Sequence, residues 1–357
     1  MRFNCYLWRP PNNKKMTKVL IIINESNASE YFRCILPGFY LFDNHKKDID
    51  ITIRNKVDVW DIHGLAYFDI IHFHRHFGWF ESAAELFPML QKAGVKLVMD
   101  MDDYWLFPDY YTYAEHLRYN NIYGKELDNI KLVDHVTVTT ELFAEVVLKE
   151  TSNVTVLPNA VDMNDTMWDF EHTDSEICRI GWLGSHQRNT DLKRLAPAIK
   201  KLYADEELQG KFQMVLCGGD EKDREIFDGP MFLSLPLLPV DEYGVYYNEI
   251  DICLAPLEHN DFNNCKSELK LIEAGMNKKA FVGECFGIYK NTITHMEDGL
   301  LVDDSDQWFL FLKDLILNKS LREQYGENLY NTVKDKFSIK TVAKQRIKFY
   351  NSLINGK

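Results

Sequence analysis

The chain has 357 residues, room for two domains of ordinary size, and 46% hydrophobic with 27% charged residues marks a globular protein with a sizeable core. A formal net charge of −13 argues against the basic face of a general nucleic-acid binder, although a few local cations still suffice for one anionic small ligand. Seven cysteines, an odd count without a C-x-x-C pair, give neither a disulfide framework nor a zinc pattern and fit a reducing cytoplasm.

Residues 1–17 are too polar and Pro-rich for a signal peptide and read as a disordered extension, with Met16 as a second candidate start. The apolar run 19–23 (VLIII) is that of a central parallel strand. It ends in the polar loop 24–27, ahead of a helix through Tyr31, Ile35 and Phe39; Arg33 serves either the site or a surface salt bridge. Residues 49–53 alternate and read as a second strand. Residues 69–74 form a third, ending at His72, His74, Arg75 and His76. Alternate histidines share one face only while the strand continues, so substrate contact at the strand end is the better reading than a metal site. His74 is the candidate from this cluster.

The strand 95–99 runs into Asp100, Asp102 and Asp103. Such carboxylates hold a divalent cation, orient or deprotonate a substrate hydroxyl, or cap a following helix. Asp102 and Asp103 are taken as cleft residues. An aromatic run follows (Tyr104, Trp105, Phe107, Tyr110, Tyr111, Tyr113), readable as a stacking surface, a lid or plain packing. Residues 133–140 read as the last strand of the first half, 141–150 as a helix, and the polar stretch 164–176 as a linker.

A second α/β unit opens with the strand 179–183 and the turn Gly184-Ser185, where glycine permits close backbone approach. Arg188, just beyond, is either a phosphate ligand or a surface arginine. The strand 212–217 ends in Gly218-Gly219, and 243–247 reads as an aromatic helix. The strand 252–255 stops at Pro256, and a polar loop leads to a predicted helix over 266–275 with Leu269, Ile272 and Met276 on one face and Ser267 as its N-cap. A helix N-terminus beside Lys266 is a receptor for a phosphate, and Glu273, further along, is placed to accept from a ribose diol. These residues describe a nucleotide-diphosphate site, and the alternation of strand and helix predicts a doubly wound α/β architecture.

The segment 251–283 resembles the donor-binding part of group 1 (family 4-like) retaining glycosyltransferases with the GT-B fold. Glu273-Ala274-Gly275 matches the second of that family's two glutamates, and the residues from Lys278 to Val282 match the turn and strand that follow. The first glutamate falls at Cys265, a departure at the position that usually contacts the donor sugar. Lys266-Ser267, with Lys270 and Glu273, is similar to a branch of the family with a lysine-serine pair in this loop. Residues 158–162 (PNAVD) resemble the end of the family's first domain.

The resemblance implies two Rossmann-like domains facing a cleft. Residues 18–163 would form the acceptor side, 164–177 the linker, 178–336 the nucleotide-sugar domain, and 337–357 a helix crossing back onto the first domain. It implies transfer of a hexosyl unit to a hydroxyl acceptor, a glycan or lipid-linked saccharide, with retention. The nucleotide-diphosphate sugar would be co-substrate, and no cofactor or metal would be obligatory. Gly184, Ser185, Arg188, Lys266, Ser267, Lys270 and Glu273 form the expected donor site; Asp102, Asp103 and His74 are the catalytic candidates. A metal-dependent GT-A enzyme built on 100–103, a nucleotide-sugar epimerase and a non-catalytic GT-B partner are the competing readings. The cluster Lys340, Lys344, Arg346 and Lys348 reads as a solvated face or, for a cytoplasmic protein, as a point of peripheral membrane contact.

Overall fold

The computed structural model describes residues 16–24, 27–77, 83–111, 114–168, 170, 175–185 and 189–355. Its frame is two six-stranded sheets, ordered β2-β1-β3-β4-β5-β6 and β12-β11-β10-β7-β8-β9. The first comprises β1 (Lys18–Ile22), β2 (Asp50–Arg54), β3 (Ile70–His74), β4 (Lys96–Met101), β5 (His135–Val138) and β6 (Val154–Val156). The second comprises β7 (Cys178–Gly184), β8 (Phe212–Gly218), β9 (Phe232–Leu235), β10 (Ile252–Ala255), β11 (Ala280–Glu284) and β12 (Leu300–Val302). Every strand pair is parallel. Parallel sheets need helical crossovers, which cover both faces, so the strands are apolar almost throughout. In β4, Leu97 and Met99 enter one core cluster while Val98 enters the cluster on the opposite face. This is the doubly wound α/β arrangement expected, doubled.

Two local readings are corrected. Residues 133–140 do not hold the last strand of the first half, because β6 adds an outer strand beyond β5. The helix predicted over 266–275 begins later, as α1 (Leu269–Met276), with Glu268 at its N-cap and no side-chain cap. Ser267 does not cap it; its hydroxyl accepts from Asn159 of the first half instead. The stretch read as a polar linker carries Met167 and Trp168, both buried among residues of the second half.

Two long helices, α2 (Lys319–Phe337) and α3 (Ile339–Asn355), close the chain. The kink between them is pinned to the segment after β6 by Val161 N to Phe337 O at 3.0 Å and Ile339 N to Val161 O at 2.8 Å. Helix α3 then lies on the first sheet, burying Phe349 and Tyr350 in the cluster that holds Val19, Ile21 and Ile51. Arg346 is buried on this inner face, so it does not belong to an exposed basic stripe; Lys340, Lys344 and Lys348 remain exposed. Among the described residues no helix is long and apolar enough to cross a membrane.

Candidate donor and acceptor site

The segments that follow β1, β4 and β6 in one sheet and the carboxyl ends of β7, β8 and β10 in the other border one cavity of about 610 Å³. This is where doubly wound sheets present loops and helix starts to a ligand. Gly184, Ser185, Lys266, Ser267, Lys270 and Glu273 line it, together with Asp102 and Asp103 from the first half. Arg188 lies outside the described residues.

Glu273, Lys270, Lys266, Ser267, Asp102 and Asp103 are each held by a partner. Glu273 is buried, one oxygen accepting from the Tyr247 hydroxyl at 2.9 Å and the other from Tyr243. Burial pushes this carboxyl well above the usual carboxylate range. Lys270 donates to the Leu183 carbonyl at the end of β7, its ammonium 4.9 Å from the Trp182 ring centroid. The turn after β8 contributes Gly218 and Gly219 at φ of 86° and 70°, a conformation suited to glycine, and a side chain on Gly218 would strike the Gly184 carbonyl. Trp182, Leu237, Leu238, Val240 and Tyr246 supply an apolar and aromatic wall.

Across the cavity, Lys266 Nζ of the donor wall lies 2.6 Å from Asp103 Oδ1, an ion pair from one half to the other. Asp102 accepts from His74 Nε2 at 2.9 Å and from Arg75 Nη2 at 2.9 Å. Burial acts against its ionisation, but the charges of Arg75 and His74 prevail and hold it well below the usual carboxylate range. His74 does not line the cavity: it is 5% exposed and stands behind Asp102. Its ring turns to Asp102 and not to the cavity. Strand β3 ends there, and Arg75 turns into left-handed backbone at φ 56°, so His76 does not continue the alternation of His72 and His74. Among the described residues no three His, Cys, Asp or Glu side chains are grouped to hold a metal ion.

Sequence reasoning left Arg33 open, and the structure makes it central. It sits in a π-helical turn, Tyr31–Ile35, fully buried, with Nε and Nη2 forked on Asp100 at 2.7 and 3.0 Å. Its Nη1 reaches Leu157 O at 2.7 Å and Asn159 Oδ1 at 3.0 Å. Asn159 Nδ2 then donates to Ser267 Oγ at 3.0 Å, carrying the network from one sheet to the loop before α1. Asp191 was missed altogether. It is buried at the cavity wall and accepts from Glu258 N and Asn263 Nδ2, both at 2.8 Å, which shapes the loop after β10. Its sequence signal was weak, a lone carboxylate after a Gly-Ser turn. Cys265 is not in the cavity. It is 1% exposed and packs with the first half's core.

The architecture, two facing Rossmann-like sheets with a C-terminal helix returning to the first, is the GT-B fold. Its neighbours among solved structures are GT-B glycosyltransferases. A sucrose-phosphate synthase from Thermosynechococcus elongatus superposes with a TM-score of 0.65 at 14% identity, over 96% of this chain and 100% of that one. A glycosyltransferase from Rickettsia africae gives 0.64 at 14%, over 96% and 100%. HepE from Anabaena, in complex with UDP and glucose, gives 0.60 at 13%, over 94% and 100%. No family model and no curated protein matches the sequence.

Proposed function

We propose that this chain is a glycosyltransferase that takes a hexosyl unit from a nucleotide-diphosphate sugar bound in the cavity and passes it to a hydroxyl acceptor. The observation that carries the reading is the convergence of Lys266, Lys270, Gly184, Ser185 and Glu273 on one wall of a cavity whose other wall bears Asp102 and Asp103. That HepE was solved with UDP and glucose in the same fold supports a nucleotide sugar as donor.

The roles follow from chemistry. Glu273 accepts from the ribose diol once a tyrosine hydroxyl yields its oxygen. Lys266, Lys270 and the backbone N–H groups at the start of α1 stabilise charge on the departing diphosphate. The apolar wall of Trp182, Leu237, Leu238 and Tyr246 takes the nucleobase. Asp103 receives or orients the acceptor hydroxyl, and Asp102, fixed by His74 and Arg75, keeps the cleft anionic on the acceptor side. We assign retention of configuration and no obligatory metal, with the cytoplasm as location and a saccharide or lipid-linked saccharide as acceptor. Peripheral membrane contact through Lys340, Lys344 and Lys348 belongs to the same proposal.

The test is a panel of UDP-, GDP- and ADP-linked hexoses in thermal shift with EDTA present, repeated on Glu273→Ala and Lys266→Ala. A ligand bound only by the native state raises the melting temperature. One donor should stabilise the wild type, and both variants should lose most of that shift. No shift with any donor, with or without Mg²⁺ or Mn²⁺, would remove the donor site from consideration. A non-catalytic GT-B protein would then be the better reading.

A further inference from the structure

The cation given to the donor's phosphate is already occupied. Lys266 Nζ contacts Asp103 Oδ1 at 2.6 Å, and both residues line the cavity. The two side chains are mostly shielded from water, at 14% and 22% exposure, so solvent weakens their attraction less than at an open surface. The pair joins the loop after β4 to the loop before α1, one from each half.

The surrounding packing keeps it closed. The Phe262 ring lies 4.2 Å from the Lys266 ammonium. Phe262 is itself wedged against Phe107 at 5.0 Å and Tyr111 at 5.1 Å, aromatics of the segment that follows Asp103. Asn260 Nδ2 adds a hydrogen bond to the Tyr110 hydroxyl at 3.1 Å. Asp102, by contrast, is engaged by His74 and Arg75 within its own half.

We propose that Asp103 is a built-in stand-in for the donor's phosphate: it holds Lys266 before the donor arrives, and a nucleoside diphosphate must displace it. This rests on the donor-site reading above and extends it to the order of events. A diphosphate offers more charge and more acceptor oxygens than one carboxylate, so the exchange runs toward bound donor. Displacement breaks the ion pair across the cleft and releases Asp103 to face the acceptor. Donor therefore binds before acceptor, and an acceptor hydroxyl finds no competent carboxylate until the diphosphate has arrived. Competition within the chain lowers apparent affinity by the fraction of molecules in which Lys266 is free.

Titration of UDP, GDP and ADP into wild type, Asp103→Asn, Lys266→Gln and the double variant tests this. Asp103→Asn should tighten the best-binding diphosphate about three- to tenfold, the scale set by a partly shielded ion pair. Lys266→Gln should weaken it, and adding Asp103→Asn to that background should neither tighten nor rescue binding. Equal tightening or rescue in the Lys266→Gln background would make Asp103 a general repulsive charge and overturn the proposal. So would an Asp103→Asn protein that binds no more tightly than wild type. If no diphosphate binds any of the four proteins, the donor-site reading itself falls and this one with it.

Discussion

Nδ1 of His72 stands 2.6 Å from the Tyr350 hydroxyl, a buried contact between the middle of the first sheet and the final helix across 278 positions of sequence. The same ring faces Asp100 through Nε2 at 3.4 Å, so α3 is tied to the carboxylate that anchors Arg33. Burial lowers the pKa of His72, so the unfolded chain binds its proton first as pH falls. Stability from this group is complete above its ordinary value of 6.5 and is lost on acidification below it. Tyr350→Phe leaves a buried ring nitrogen without its hydroxyl partner and should cost about 1–3 kcal/mol. Urea denaturation at pH 7.5 measures that cost, and an unchanged midpoint would show that the contact contributes nothing.

Glu268 should act with the opposite sign. Its Oε2 is buried without a hydrogen-bond partner, and burial pushes the carboxyl up to about 7 from 4.5. The native state therefore holds a proton that the unfolded chain has released, and the associated stability is lost as pH rises through 4.5 to about 7. Glu268→Gln removes the titration and should stabilise the protein by about 1–2 kcal/mol at pH 8. At pH 5 it should do little. Melting temperatures at the two pH values decide it; equal shifts would mean that Glu268 does not titrate in this range.

Arg33 is a buried cation whose removal would strand a buried anion. Burial alone would favour the neutral carboxyl of Asp100, but Arg33 and His72 outweigh it and hold that group far below the usual range. Thr137 Oγ1 also donates to it at 2.6 Å. Arg33→Met should destabilise by about 3–5 kcal/mol, as for other broken buried pairs. Arg33→Met combined with Asp100→Asn should recover much of that loss. Chemical denaturation of these two variants and of Asp100→Asn alone checks the cycle, and additive losses would show that the two side chains are not coupled.

Most inner strands were legible because they are apolar runs covered on both faces, a pattern that needs no knowledge of partners. Strand β2 was legible from its alternation, and the short outer strands β6, β9 and β12 were not read. The donor wall was legible for a related reason: Lys266, Ser267, Lys270 and Glu273 sit in one strand-loop-helix unit. What escaped depends on groups far apart in sequence. Ser267 has the residue type and position of an N-cap, yet Asn159 claims its hydroxyl from the other half. Arg33 finds Asp100, Leu157 and Asn159, none of them local, and no periodicity announces that. His74 sits at a strand end that opens on the cleft, but its ring turns to Asp102 and not to the cavity. Met167 and Trp168 are embedded in a polar stretch, and only the fold reveals that they are buried.

Cys265 gives the sharpest test of what the resemblance can carry. A glutamate there would match the pattern of the family resembled, but the backbone puts the side chain elsewhere. It is buried in the cluster of Trp105, Phe143 and Val147, and burial pushes the thiol up to about 12. The position therefore joins the two halves by apolar contact, away from the cavity lining. Cys265→Glu would force a carboxylate into that cluster without a partner and should cost about 3 kcal/mol or more. Cys265→Ala removes only one sulfur's packing and should cost about 1 kcal/mol. Neither should improve nucleotide-sugar binding. Melting temperature and donor titration on both variants check this together. A Cys265→Glu protein that stays stable and binds a donor more tightly would return the position to the site, and would mean that the loop before α1 opens further than the present structure shows.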